Sequence, residues 1–256
     1  MNAVDAAVAD FSDAGFTVLR GAVPVALISR LRTQLRPMLE AAQAGQGIDL
    51  PVWQVVQPWC QAPLVLDVLA LIGPVAARCL GTHQVQLLQD AMVAKPAHRG
   101  GAIAWHHDHA YTSWLTPPGS LSIRVALTAE TAESGALVAL HGSHRWEVAV
   151  QDLIGADSLG DDPRVRTGRS AAELLAAERV VELAPGDVSL HHSRTLHGSG
   201  ANHAAWQRET LVAHVVASVV RIADADGPMA PYVALTPEGQ LDPSAFPVLE
   251  PQRDLA

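Results

Sequence analysis

The chain has 256 residues, with 26 acidic and 17 basic side chains and a formal net charge of −9. That balance excludes a broad electrostatic grip on nucleic acid or on an anionic membrane surface. With 49% hydrophobic and 17% charged residues, the chain can bury a large core, which excludes wholesale disorder.

The first eighty or so residues read mostly as helix. Ile28, Leu31, Leu35, Met38 and Ala42 recur at three- and four-residue steps, as on one helix face. Pro37 interrupts that stretch at a position where proline kinks a helix. A loop with Gly45, Gly47 and Pro51 follows, then a second helix from about Pro63 to Leu71, closed by Gly73-Pro74. From His83 onward the period changes. Leu121, Ile123, Val125 and Leu127 alternate with Ser122, Arg124, Ala126 and Thr128, the pattern of a half-buried strand. Ala136 to Leu140, Val188 to His192, and the alternating set Leu211, Ala213, Val215, Ala217 and Val219 read as further strands. Pro117-Pro118-Gly119, Ser134-Gly135, Pro185-Gly186-Asp187 and Gly198-Ser199-Gly200 supply the turns.

Residues 147 to 170 are polar and irregular, and Ser170 with Glu173 then suits a capping box for a short helix through Glu178. This stretch reads as an insertion between strands that forms part of a pocket wall. The last thirty or so residues show no period and read as an extended tail packed on the outside. The expected architecture is one domain over 1–256, a β-barrel or jelly roll behind helices. Its parts are a helical front to about 80, a barrel over about 83–220 with an insertion at about 147–178, and a tail from about 221.

Cys60 and Cys79 are too few for a disulfide framework and read as small apolar residues. The segment Met1-Asn2-Ala3-Val4-Asp5 has no basic region leading into an apolar stretch, and no run is long enough for a transmembrane helix. A cytoplasmic protein is expected, with a small-molecule substrate, no nucleic-acid or membrane partner, and a monomer as the default state.

Twelve histidines favour nitrogen and oxygen ligands for any metal. The sharpest feature is Trp105-His106-His107-Asp108-His109. On a strand, residues two apart share a face, so His106 and Asp108 project together. His197, ahead of a Gly-Ser-Gly turn, sits where a strand end can face a cavity. Two histidines and a carboxylate on one side of a metal leave open positions, the arrangement of non-haem Fe(II) oxygenases. Arg208 opens the next apolar strand, where a guanidinium facing the interior is costly unless an anion pairs with it. A dicarboxylate would do so through bidentate hydrogen bonds.

At this point the chain resembles the phytanoyl-CoA dioxygenase family of Fe(II)/2-oxoglutarate oxygenases. The resemblance rests on Trp105-His106-His107-Asp108, on Glu133-Ser134-Gly135-Ala136-Leu137 leading to Gly142-Ser143-His144, and on Pro185-Gly186-Asp187 leading to His197-Gly198-Ser199-Gly200-Ala201-Asn202 and Arg208. It implies a double-stranded β-helix (cupin-like) core, with iron held by His106, Asp108 and His197. It implies Arg208 on the distal carboxylate of 2-oxoglutarate, with Thr128, Gln89 and Ser199 as further cosubstrate contacts. His107 stands where the family commonly has Gln, and Leu127 where an aromatic residue sometimes stands. Asp108 keeps the carboxylate that related halogenases lack. The implied reaction consumes O2 and hydroxylates an unactivated C–H of a small molecule, an amino acid or natural-product intermediate, releasing succinate and CO2.

His98, Arg99, Tyr111, Trp114 and Trp53 flank the iron motifs and are candidate substrate contacts. Two other readings remain: a cupin-like metalloenzyme that does not use 2-oxoglutarate, and a non-catalytic binding protein on the same fold. A serine hydrolase is disfavoured because Gly142-Ser143-His144 lies outside any G-x-S-x-G elbow.

Overall fold

The computed structural model describes residues 2–47, 50–148, 167–224, 226 and 230–250. Helix α1 (Ala3–Ala14) starts at a capping box, in which the Asn2 side chain accepts from the Asp5 backbone N–H at 2.8 Å. It ends at Gly15 with φ +83°. A Cβ on Gly15 would collide with the side chains of His144 and Thr195, so glycine is required there on two counts. Strand β1 (Phe16–Leu19) follows, then α2 (Val25–Gln46) and β2 (Trp53–Val56). Helix α2 buries Ile28, Leu31 and Leu35 of the face read from the sequence together with Leu39, leaves Met38 and Ala42 half-buried, and runs on through Pro37.

Helix α3 (Leu64–Cys79) differs from expectation, for it passes through Gly73-Pro74 rather than stopping there. Ala76 and Ala77 extend its buried face beyond the proline, so the helix continues despite the hydrogen bond that the proline removes. Gly73 is needed for packing instead, since a Cβ there would strike the carbonyl of Leu249.

The remaining elements are β3 (Val85–Lys95), β4 (Ile103–His106), α4 (His109–Thr112), β5 (Leu115–Thr116), β6 (Ser120–Ala126) and β7 (Leu137–Leu140). They continue with α5 (Ala171–Ala177), β8 (Glu178–Val181), β9 (Val188–His192), β10 (His197–Ser199), β11 (Arg208–Ala217) and β12 (Arg221–Ile222). Residues 149–166 of the expected insertion lie outside the described residues. Its closing helix is present with the Ser170–Glu173 capping box, one residue shorter than read, because Glu178 already opens β8.

The strands pair antiparallel in a six-stranded sheet of order β1-β9-β6-β11-β3-β2 and a four-stranded sheet of order β4-β10-β7-β8. A two-stranded ribbon joins β5 to β12. One face of the six-stranded sheet packs Leu121, Ile123, Val125, Leu190, Leu211 and Val215 against Phe11, Leu31, Leu35, Val65 and Leu69 of the three long helices. The other face looks across a cavity to the four-stranded sheet, and this is the jelly-roll core. The tail does more than cover the outside. Leu241 and Leu249 are buried, and Tyr232, Val233 and Phe246 reach a cavity rim. Among the described residues, no helix is long and apolar enough to cross a membrane.

Candidate metal centre and its two cavities

His106 ends β4, His197 begins β10, and the two residues are register partners. Each imidazole points its Nδ1 at the backbone carbonyl two residues earlier, His106 to Ala104 at 2.8 Å and His197 to Thr195 at 2.9 Å. Those carbonyls accept, so Nδ1 carries the proton and Nε2 keeps its lone pair. Asp108 Oδ1 lies 3.6 Å from Nε2 of His106 and 3.7 Å from Nε2 of His197. Ligand atoms of the three residues all fall within 4.8 Å of one another. Strand alternation does not bring His106 and Asp108 together, as the sequence suggested. Strand β4 stops at His106, and Asp108 sits in helical backbone at the start of α4, so the carboxylate swings round on a turn.

The other carboxylate oxygen of Asp108 is anchored. It accepts from Ser122 Oγ at 2.5 Å and from His191 Nε2 at 3.0 Å. Ser122 Oγ is also 2.8 Å from His214 Nδ1. Oδ2 is thereby fixed to the protein and Oδ1 stays available, the orientation that metal-ligating carboxylates require. Burial opposes ionisation of Asp108, but the imidazoles of His197, His214 and His191 outweigh it and hold the carboxyl well below its usual range. Burial likewise pushes the His197 imidazole well below its usual value. A carboxylate and neutral imidazoles are the forms that bind a divalent cation. His107, between the two ligands, is buried and held neutral near pKa 4 by that burial; it packs and does not reach the centre.

Two cavities meet at this point. The inner one holds about 190 Å³ and the outer about 690 Å³, and Gln54, Gln89, His106, Asp108 and His214 line both. Ile103, Leu137, Val93, Ser199 and Arg124 complete much of the inner wall. Behind it lies a group of buried charges. Lys95 and Arg208 are register partners on β3 and β11, and both are 0% exposed. The ammonium of Lys95 donates to Ser199 Oγ at 2.8 Å and to the Gly200 carbonyl at 2.5 Å. Arg208 donates through Nη1 to the Gly135 carbonyl, while its Nε and Nη2 are buried with no partner among the described residues. Arg124 donates to Glu130 at 2.8 Å and leaves its Nε unpartnered. Thr210 donates to the other Glu130 oxygen at 2.6 Å.

Three cations thus share one carboxylate. Burial, with Arg208 and Arg124 adding to it, drives the Lys95 ammonium down to about 7, and burial brings Arg208 down to about 10. Burial works against Glu130 as a carboxylate, but Arg124 and Arg208 outweigh it and hold its pKa below the usual value. Unsatisfied guanidinium N–H groups and surplus buried positive charge fit an anionic ligand such as a carboxylate.

The predicted contacts divide. Ser199 and Gln89 line the inner cavity, and Tyr111 and Trp114 line the outer one. Thr128 does not face either. Its hydroxyl donates to the Gln207 carbonyl and accepts from the Glu209 N–H at 2.8 Å, closing a turn on an outer groove with Arg32 and Trp206. Trp53 is 3% exposed and belongs to the helix-side core, because Gln54 next to it takes the cavity side. His98, at φ +62°, and Arg99, with its guanidinium 5.6 Å over the Trp53 ring, lie on the β3–β4 loop away from both linings. Sequence reading passed over Lys95, Arg124, Glu130, His191 and His214. For Arg124 the signal was a lone charge inside an apolar strand, and for Lys95 a charge closing the apolar run Ala91–Ala94.

The profile of the phytanoyl-CoA dioxygenase family matches residues 11–210. A curated protein of Stutzerimonas stutzeri, named as a probable alpha-ketoglutarate-dependent hypophosphite dioxygenase, is 30% identical over 123 residues. That match spans 44% of this chain and 39% of the relative's length. Among solved structures, the alpha-ketoglutarate-dependent epimerase SnoN from nogalamycin biosynthesis aligns with TM-score 0.75 at 18% identity, covering 97% of this chain and 98% of its own. The carbocyclase SnoK of the same biosynthesis aligns with TM-score 0.73 at 22% identity, covering 95% of each chain. EctD from S. alaskensis, solved with 2-oxoglutarate and 5-hydroxyectoine, aligns with TM-score 0.66 at 21% identity, covering 87% of this chain and 78% of its own. These three likenesses establish the fold.

Proposed function

The chain belongs to the phytanoyl-CoA dioxygenase family, and from that premise we propose that it is an Fe(II)/2-oxoglutarate-dependent oxygenase that hydroxylates an unactivated C–H of a small molecule. The observation that carries the reading is the coincidence of two features at one cavity. A His-Asp-His set with three convergent ligand atoms lines the inner cavity, and the buried cations Lys95 and Arg208 lie behind its wall, where Lys95 bonds to the lining residue Ser199.

In this reading His106, Asp108 and His197 hold the iron. Bound Fe(II) and 2-oxoglutarate supply the oxidising chemistry, consuming O2 and releasing succinate and CO2. The chain's own residues do the positioning. Ser122 and His191 hold Asp108 so that one oxygen faces the metal. Arg208, with its two unpartnered nitrogens, grips the distal carboxylate of the cosubstrate, and Lys95 and Ser199 stand beside it. Glu130 orients Arg124 by pairing with it, and its negative charge favours the charged form of Arg208. Ile103, Leu137 and Val93 keep water off the bound cosubstrate. The inner cavity then suits the cosubstrate and the outer one the molecule to be oxidised, with the metal ligands between them.

The test is succinate release from 2-oxoglutarate under air, with Fe(II), across a panel of small-molecule substrates. The reading predicts substrate-dependent succinate that disappears in His197→Ala. Oxidation of a substrate without any succinate would favour a cupin-like enzyme, and absence of both iron binding and turnover would favour a binding protein.

A further inference from the structure

The outer cavity carries two kinds of lining. Gln54, Gln57 and Gln89 come from the β2–β3 edge of the six-stranded sheet. Tyr111, Trp114 and Phe246 come from α4, the turn after it and the C-terminal segment. None of the three carboxamides is engaged by another described residue, so each keeps two donors and an acceptor free. Two backbone irregularities put them there. Gln57 has φ +51°, a left-handed conformation costly for a residue with a side chain. It is pinned by its N–H on the Asp90 carbonyl at 2.9 Å. The β3–β11 register slips between His214 and Val215, and the bulge turns both Leu88 and Gln89 toward the cavity.

Size and charge narrow the occupant. At about 690 Å³ the cavity matches sites for drug-sized organic molecules, which run from roughly 300 to 1,000 Å³. An inorganic anion of a few atoms would stay hydrated in it and touch little. Apart from the phenols of Tyr111 and Tyr232, the charged or titratable groups of the described lining are the Asp108 carboxylate and the imidazoles of His106 and His214, and the absence of lysine or arginine among them makes it a poor setting for an anionic head group. Aromatic faces favour flat rings, and free carboxamides favour hydroxyl or carbonyl oxygens.

We propose that the outer cavity binds a flat, uncharged, multi-ring molecule carrying hydroxyl or carbonyl oxygens, with its rings on Tyr111, Trp114 and Phe246 and its oxygens on the three glutamines. Only the statement that this molecule is also the one oxidised rests on the oxygenase reading.

The test is calorimetric titration of the metal-free full chain with naringenin, a three-ring hydroxylated ketone, beside hypophosphite and lauroyl-CoA. Naringenin is expected to bind most tightly of the three. Trp114→Ala should weaken it about tenfold, the loss of one stacked ring. Trp114→Phe should keep most of the affinity. Gln57→Gly, which suits the left-handed backbone and deletes the carboxamide, should weaken it by about threefold to tenfold. Circular dichroism of each variant checks that it is folded. Tighter binding of hypophosphite or lauroyl-CoA, no heat with naringenin, or equal naringenin affinity in folded Trp114→Ala and Gln57→Gly would overturn the proposal. Binding of 2-oxoglutarate to the iron-loaded chain is measured separately. Its failure removes the oxygenase reading and leaves the calorimetric result standing, and failure of the calorimetry removes the substrate class alone.

Discussion

The two faces of the six-stranded sheet share the same strands and the same register but hold opposite chemistry. In β6, Leu121, Ile123 and Val125 face the helices, while Ser122 and Arg124 face the cavity. In β11, Leu211, Ala213 and Val215 face the helices, while Arg208, Thr210 and His214 face inward. The helix side removes apolar surface from water and stabilises the fold. The cavity side buries lysine, arginine and histidine with incomplete partners, and each such group costs free energy until a ligand joins it. The difference teaches that stability and binding are separable here by face. A ligand that satisfies the inner charges should stabilise the folded chain by mass action.

The largest effect is expected at the metal centre. Asp108→Ala removes the oxygen that both His106 and His197 approach. Iron binding measured by equilibrium dialysis should collapse, and turnover should fall by about a thousandfold or more. Wild-type iron affinity in this variant would break the inner half of the comparison. On the opposite face, Ile123→Ala opens a cavity in the helix-side core, where Ile123 is fully buried. Urea unfolding should show a loss of about 2–5 kcal/mol, with 2-oxoglutarate affinity unchanged in the molecules still folded. Coupled losses of stability and affinity would show that the faces are not separable.

A smaller effect concerns pH. The Lys95 ammonium titrates near 7 in the ligand-free chain. Above that pH the free site is neutral at Lys95, so binding an anion beside it requires uptake of a proton. Affinity for 2-oxoglutarate at saturating Fe(II) should therefore fall as pH rises from 7 to 9, by at most about tenfold per pH unit. Lys95→Met should bind more weakly and with a flatter profile. An unchanged slope in Lys95→Met would assign the pH dependence elsewhere.

Much of this was legible in the sequence. The apolar period of α2, the strand at Val188–His192 and the capping box at Ser170 all reflect local pattern, and each lies close to where it was read. The three residues that converge at the centre were also named from sequence, because H-x-D, a histidine before a Gly-rich turn and a following arginine form a combination. What stayed hidden was tertiary. Alternation in β6 looks like a strand with one wet face, yet the four-stranded sheet covers that face and turns Arg124 from a surface residue into a buried charge. Trp53 and Gln54 are neighbours that differ only in side, and sequence cannot say which side of an edge strand holds the cavity. Thr128 fits a strand period, but β6 ends at Ala126 and its hydroxyl goes to the backbone of Gln207 and Glu209 where β11 begins.

The central claim is that the buried cations behind the wall of the inner cavity bind a carboxylate beside the metal. Anaerobic titration of the Fe(II)-loaded protein with 2-oxoglutarate, followed by the visible charge-transfer absorption of the chelate, tests it most directly when wild type is compared with Arg208→Met. The account predicts a saturable band in wild type and an affinity weakened by about a hundredfold in Arg208→Met, while the ligand-free variant melts no lower than wild type because a buried charge with two unpartnered nitrogens has been removed. An unchanged band in Arg208→Met, or no band in wild type with iron bound, would contradict it.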